Sequence, residues 1–363
     1  MVLRERSFIH VLCCFFLLLL SNNSSAKDVS FHITKGVSIG TWLTDNNAKI
    51  DDACKIFDVG DVDSLAKYGF DHIRIPVSES ILFHNDGLLN RSVWALVHKI
   101  IRRCRANSIR VVFDLHKVNN YYIDNWDGVT KESQNLIRIW TTILNELEKY
   151  PEEILAYELL NKANSKDHQR WNAVSNLLIK YIRSRNKKRI IVIGSNGNNK
   201  VDNIKYLETP LNDSNIIICF HFYEPSLLTK YKAVYTQFGK IRFKEALNYP
   251  GNLVTNSNYD RLTDKEKKIV APYRRAYDRN YIKARFSSAV KYAKNHNVKL
   301  YLSEFGCLPN NGGKTRLAWL TDVISVCKEY KIPFCLWDYN SGFGFVDRKT
   351  GKIDREMLRV VVN

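Results

Sequence analysis

The sequence predicts an α/β protein folded as a single (β/α)8 TIM barrel. Eight short β-branched runs alternate with longer amphipathic stretches, the pattern of parallel strands joined by crossover helices. The 363 residues, 45% of them apolar, can bury a large core, and no Pro/Ser-rich linker or shift of composition divides them. No Gly-rich phosphate loop follows the first run, which sets aside a doubly wound open sheet.

Taken in order, the chain opens with MVLRERSFIHVLCCFFLLLLSNNSSA. Arg4 and Arg6 precede an apolar run from Val11 to Leu20, then small residues to Ala26, the order of a secretory signal peptide cut after Ala26. Residues 1–26 are therefore expected to leave, and 27–363 to form the barrel domain. The apolar run is too short to span a bilayer comfortably, and no later segment is apolar enough for a membrane helix. The strands are expected at 35–41 (KGVSIGT), 70–77 (FDHIRIPV), 109–116 (IRVVFDLH), 154–161 (ILAYELLN), 189–195 (RIIVIGS), 215–223 (NIIICFHFY), 298–306 (VKLYLSEFG) and 332–339 (IPFCLWDY). Helical stripes lie between them: Val93, Leu96, Val97, Ile100 and Cys104; Val174, Leu177, Leu178 and Tyr181; Leu320, Val323, Ile324 and Cys327. DREMLRVVV closes the chain as a last helix.

Composition narrows the partners. The formal charge of +18 becomes +17 once two Arg and one Glu depart with the leader. The excess favours anionic surfaces or polymers, but the basic residues are scattered over expected solvent faces (Lys187, Lys188, Arg189; Lys265, Lys267, Lys268), and no nucleic-acid motif occurs. Of eight cysteines, Cys13 and Cys14 lie in the leader; Cys54, Cys104, Cys219, Cys307, Cys327 and Cys335 remain, in a spacing that selects no disulfide pairing. No CxxC or HxxxH spacing suggests a metal site, and nothing demands a cofactor. A monomer is expected. NxS sequons stand at Asn90 and Asn212.

Polar residues gather where a barrel builds its active site. Arg74, His116, Asn161, His221, Tyr223, Glu304 and Trp337 all fall at or near C-terminal strand ends. Any one of them could be a packed structural residue. Seven at equivalent ends would place buried polar groups around one mouth without a purpose unless that mouth is a functional cleft.

This set resembles glycoside hydrolase family 5, the (β/α)8 retaining endoglycanases of cellulose, related β-glucans and mannans. The resemblance runs from KGVSIGTWL to WDYNSGFGFVD and is strongest at YPEEILAYELLN. It implies that a β-linked polysaccharide or oligosaccharide is the partner, with no cofactor. By the same resemblance Glu304 is the nucleophile, Arg74 and Tyr223 hold it ionised, and Asn161 binds the sugar 2-hydroxyl. His116 and His221 shape the polar floor, Trp337 offers a face to a pyranose ring, and Trp126 in the loop after the third strand offers another. The long segment at about 224–277 also resembles the family; its aromatics Tyr231, Tyr235, Phe238, Phe243 and Tyr249 either contact glycan or form a satellite core.

Retaining hydrolysis needs two carboxyl groups about 5 to 5.5 Å apart, one to attack and one to protonate the leaving oxygen. Where the family has Asn-Glu-Pro, this chain has Asn161, Lys162 and Ala163. The general acid is thus replaced by Lys162, whose ordinary pKa of about 10.4 suits it poorly to donation, and which is expected to pair with Glu304. Glu158 lies four residues back on the same strand, about 13 Å down the barrel, and is no substitute. Glu224, after Tyr223, is the better rescue candidate. Three functions remain open at this stage: an exported endo-β-glycosidase with impaired hydrolysis, a non-catalytic carbohydrate-binding relative, and a transglycosylating partial catalyst.

Overall fold

The β-branched runs pair as parallel strands in the computed structural model, which describes residues 31–44, 50–84, 86–118, 124, 131–210 and 213–363. The strands are β1 (Lys35–Ser38), β2 (His72–Ser78), β3 (Arg110–Lys117), β4 (Leu155–Glu158), β5 (Ile190–Gly194), β6 (Ile216–Phe222), β7 (Lys299–Phe305) and β8 (Phe334–Leu336). Each pairs with its sequence neighbours, and β8 closes on β1, giving a (β/α)8 barrel. The anticipated leader, Cys13, Cys14, Trp126 and Asn212 lie outside the described residues.

Crossover helices follow from capping and amphipathic spacing. α1 (Val59–Tyr68) starts in a capping box between Asp58 and Asp61 and stops at Gly69, whose φ of 89° supplies the left-handed turn. α2 (Arg91–Ala106) is capped by the Asn90 side chain and buries the whole predicted stripe from Val93 to Cys104. α3 (Lys131–Leu147), α4 (His168–Arg185), α5 (Arg279–His296), α6 (Gly313–Glu329) and α7 (Arg355–Val362) complete the shell. In α4 the buried face is Trp171, Val174, Leu178, Ile179 and Ile182, while Leu177 is 39% exposed. Trp171 anchors that face by donating its indole N–H to the Gly194 carbonyl, which turns Leu177 outward. Between β5 and β6 the link is a 3-10 turn, Val201–Tyr206, packed on α5, in place of a full helix.

Alternation along the strands separates two cores. Val111, Phe113, Tyr157, Ile191 and Phe220 face outward beneath the helices. Inward, Phe31 and Ile33 join Val112, Ala156, Ile190, Ile217, Tyr301 and Cys335 as an apolar floor. One step further along β2, β3 and β4 the inward positions become Arg74, Asp114 and Glu158, all fully buried. The same periodicity that builds the floor therefore stacks a polar layer directly above it.

The aromatics of residues 224–277 continue the outer core and do not form a separate satellite. Tyr231, Phe238 and Tyr249 are buried, Phe243 stacks on Tyr231 at 5.4 Å, and Phe238 meets Tyr273 edge-on at 5.5 Å. Only Tyr235 of the five expected aromatics is largely exposed, at 69%. The six cysteines from Cys54 to Cys335 are all free thiols. Among the described residues no helix is long and apolar enough to cross a membrane.

Candidate active site

The polar layer is organised by Arg74. Its guanidinium donates Nε to Glu158 Oε2 at 2.7 Å and Nη2 to Glu158 Oε1 at 2.9 Å, a bidentate pair. Nη2 also lies 2.9 Å from Asp114 Oδ2 and donates to Asn161 Oδ1 at 3.2 Å, while Nη1 donates to Glu304 Oε1 at 3.0 Å. One buried cation thus serves three buried carboxyls. Burial pushes Asp114 and Glu158 up to about 7 even against the pull of Arg74, because a single guanidinium cannot offset all three charges.

Glu304 sits above that layer at the end of β7. Tyr223 donates its hydroxyl to Oε2 at 3.2 Å, and His221 Nδ1 lies 3.2 Å from the same oxygen. Burial alone would raise this carboxyl, but the His221 imidazole beside Oε2 and the cations of Lys162 and Arg74 hold it well below the usual carboxylate range. Burial also drives both His221 and His116 down, His116 to about 3. The two rings are therefore neutral at neutral pH, and the standing positive charge belongs to Arg74 and Lys162. Asn199 faces His221 Nε2 at 3.2 Å, and Asp114 Oδ2 lies 2.7 Å from His116 Nδ1, so each imidazole is oriented from behind.

Trp337 forms the flat wall. Its indole stacks on His116 at 5.6 Å with planes 8° apart. Two glycines make room for it: a Cβ at Gly40 would stand 2.8 Å from the Trp337 ring, and one at Gly306 would stand 2.3 Å from the Trp337 carbonyl oxygen. These are the glycines of KGVSIGT and LSEFG.

Past β4 the chain stays extended: Leu159 N–H bonds Val192 O at 3.1 Å and Asn161 N–H bonds Leu115 O at 2.9 Å. Lys162 then adopts a left-handed φ of 51°, turning the chain at the mouth of the barrel. Its Nζ lies 3.2 Å from Glu304 Oε2 and 5.8 Å from the Trp337 ring centre. The barrel therefore brings Arg74, His116, Asn161, Lys162, His221, Tyr223, Glu304 and Trp337 together.

Glu224 is not a spare acid for this mouth. Arg285 of α5 grips it with Nε at 2.8 Å and Nη2 at 2.9 Å, and Tyr281 donates to it at 2.6 Å. Those partners turn it into the helical shell. Asp338, beside Trp337, accepts from Ser341 N and Oγ at 3.1 and 2.7 Å, and burial raises it to about 6. Asp114 and Glu158 are occupied by Arg74 below. Of Asp114, Glu158, Asp338 and Glu304, Glu304 alone is held below the usual carboxylate range, clasped by fixed donors next to an indole face. Among the described residues no group of three or more metal-ligating side chains occurs.

Four residues of the site escaped the sequence reading. Asp114 was within reach, because alternation puts it on the face of His116. Asn199 lies in Gly197-Asn198-Asn199, three successive positive-φ residues, a signal of a tight turn but not of its target. Asp338 had no distinguishing signal, nor did Lys230, whose Nζ rests 4.7 Å over the Tyr223 ring.

Comparison with known proteins adds an independent line. The family model described as cellulase (glycosyl hydrolase family 5) matches residues 58–342. Endoglucanase C of Acetivibrio thermocellus is 23% identical over 335 residues, covering 90% of this chain and 97% of its own. Cellodextrinase A of Ruminococcus flavefaciens is 25% identical over 307 residues, 83% of each chain. Among solved structures, the clostridial cellulose synthase subunit Z (CcsZ) from Clostridioides difficile matches with a TM-score of 0.72 at 26% identity, over 92% of this chain and all of that one. Cel5A of Thermotoga maritima, solved with mannotriose, matches with a TM-score of 0.73 at 20% identity, over 92% and 98%.

Proposed function

The chain belongs to glycosyl hydrolase family 5, the cellulase family, and from that membership we propose that it is an exported, retaining-type endo-β-glycosidase relative whose cleft takes β-1,4-linked glucan or mannan. Its hydrolysis is impaired because Lys162 occupies the place of the general acid. The observation that carries this reading is the contact of Lys162 Nζ with Glu304 Oε2 at 3.2 Å: a cation stands where a second carboxyl is needed, and it engages the nucleophile.

In this reading Glu304 attacks the anomeric carbon, with Arg74 and Tyr223 fixing its two oxygens. Asn161, held by Arg74, meets the sugar 2-hydroxyl, and Trp337 stacks beneath a pyranose ring. Departure of a sugar alkoxide needs a proton that Lys162 supplies poorly. The second half of the reaction needs a base to activate water, and the same position would have to provide it. A leaving group that departs unaided bypasses the first requirement but not the second.

The test follows from that asymmetry. Dinitrophenyl β-cellobioside and β-mannobioside should each, if accepted, give one burst of dinitrophenol and then stall, with a glycosyl adduct on the Glu304 peptide by mass spectrometry. Whichever sugar reacts decides between glucan and mannan. Steady polysaccharide hydrolysis, or an adduct on any other residue, would overturn the assignment.

A further inference from the structure

The mouth of the cleft carries a second lysine that the glycosidase reading does not use. Lys230 follows the first turn of the 224–277 segment, with its ammonium 4.7 Å over the ring of Tyr223, the residue that bonds Glu304. It is half-buried, and among the described residues no carboxylate lies within ion-pair distance of it. Burial lowers its affinity for a proton, and the charge of Lys162 lowers it further, so the two ammonium groups feel one another across the mouth while Glu304 pulls the other way. Glu304 answers only one of them directly.

The surroundings do not supply the missing counter-charge. Asp114 and Glu158, below, share Arg74. The segment that delivers Lys230 holds eleven Lys and Arg against five Asp and Glu between positions 224 and 277. A neutral glucan or mannan leaves this half-buried cation unanswered, whereas an anionic group entering between the lysines would satisfy it.

Resting on the reading of this mouth as a glycan cleft, we propose that it selects an acidic glycan, binding an oxyanion of the sugar chain (a uronate carboxylate, or a sulfate or phosphate ester) between Lys162 and Lys230. The substitution at position 162 and the lysine over Tyr223 then belong to one change, from a site that protonates a neutral leaving group to one that recognises a charged sugar.

The experiment is calorimetric titration of the whole chain with cello-oligosaccharides and with C6-oxidised, uronate-bearing oligomers of the same length, at low and high salt. The expected result is at least about tenfold tighter binding of the acidic oligomer at low salt, with the preference collapsing at high salt. Lys230→Gln should abolish that preference and leave neutral binding in place, and Lys230→Arg should keep it. Inorganic phosphate and sulfate, titrated as competitors, separate the sources. Displacement by the uronate oligomer alone assigns the anion to the glycan; equal displacement by the free ions overturns that assignment. Equal affinity for both oligomers, or an unchanged preference in Lys230→Gln, overturns the proposal. If the preference is absent while Lys162→Glu cleaves neutral glucan, the family reading stands and only this inference falls. If the natural chain binds neither oligomer, the glycan cleft itself is refuted.

Discussion

Replacing Lys162 by Glu should convert the chain into a working hydrolase, and the size of the gain can be worked from the site. A positioned general acid contributes about 10²- to 10⁴-fold. The ammonium also holds the nucleophile: a unit charge pair at 3.2 Å has a gross attraction of about 5 kcal/mol at an effective dielectric of about 20. Because the Lys162 side chain is 40% exposed, screening reduces this to about 1–2 kcal/mol, roughly tenfold in nucleophile reactivity. The backbone adds nothing, since Glu and Lys share the same strain at φ 51°. Lys162→Glu should therefore raise polysaccharide turnover by about 10³- to 10⁵-fold. Lys162→Ala should gain only about tenfold, and only on activated aryl glycosides, because it frees Glu304 without supplying a proton. Release of reducing ends from a panel of β-glucans and β-mannans reads both. A natural chain that cleaves any of them within about tenfold of Lys162→Glu would refute the reasoning.

Other outcomes follow from the buried layer. Asp114 and Glu158 are raised from unfolded values of about 3.9 and 4.3 to about 7. These two groups therefore hold extra protons in the native state across that interval, and their contribution to stability falls as pH rises from about 4 to about 7. Glu304, lowered, acts oppositely, contributing stability that is lost as pH drops below about 4.3. The depressed His116 and His221 act against this up to about pH 6.5, so the carboxyl share is read by difference: the melting temperature of Glu158→Gln relative to the natural chain should rise from about pH 4 to about pH 7, and a difference that stays flat contradicts this. Gly40→Ala should displace Trp337 and weaken oligosaccharide binding at least tenfold, read by quenching of indole fluorescence, whereas unchanged binding would show that the indole is not the sugar platform. Glu224→Gln in the Lys162→Glu background should leave hydrolysis within about twofold, since Glu224 is committed to Arg285 and Tyr281; a collapse of activity would restore it as a proton donor.

Most of this architecture was legible because period-two alternation is a local signal. His116, His221 and Glu304 could be placed at strand ends by counting, and Arg74, which lies mid-strand in β2, by its inward parity; their convergence follows from closing the barrel. Leu177 was misassigned because helical phase drifts by a residue unless an anchor such as Trp171 is recognised. The eight-unit pattern implies a crossover helix before β6, but the link at Val201–Tyr206 is a 3-10 turn with only Val201 and Ile204 buried, too short to show a helical stripe. Lys230 and Glu224 carry no such local signal. Both lie in the segment after β6, and whether such a side chain faces the mouth or the helices is settled by partners distant in sequence: Tyr281 and Arg285 for Glu224, and the ring of Tyr223 for Lys230.

Arg74 ties together β2, β3, β4 and β7 through Asp114, Glu158 and Glu304. The residue best suited to attack a sugar is therefore also a strut, and discarding it would leave the buried Nη1 donor of Arg74 without its carboxylate acceptor. A chain that had given up cleavage long ago would still be penalised for losing Glu304. An intact nucleophile thus testifies to the upkeep of the barrel as much as to chemistry, and positions without a structural duty, such as 162 and 230, carry the clearer trace of what the site now does.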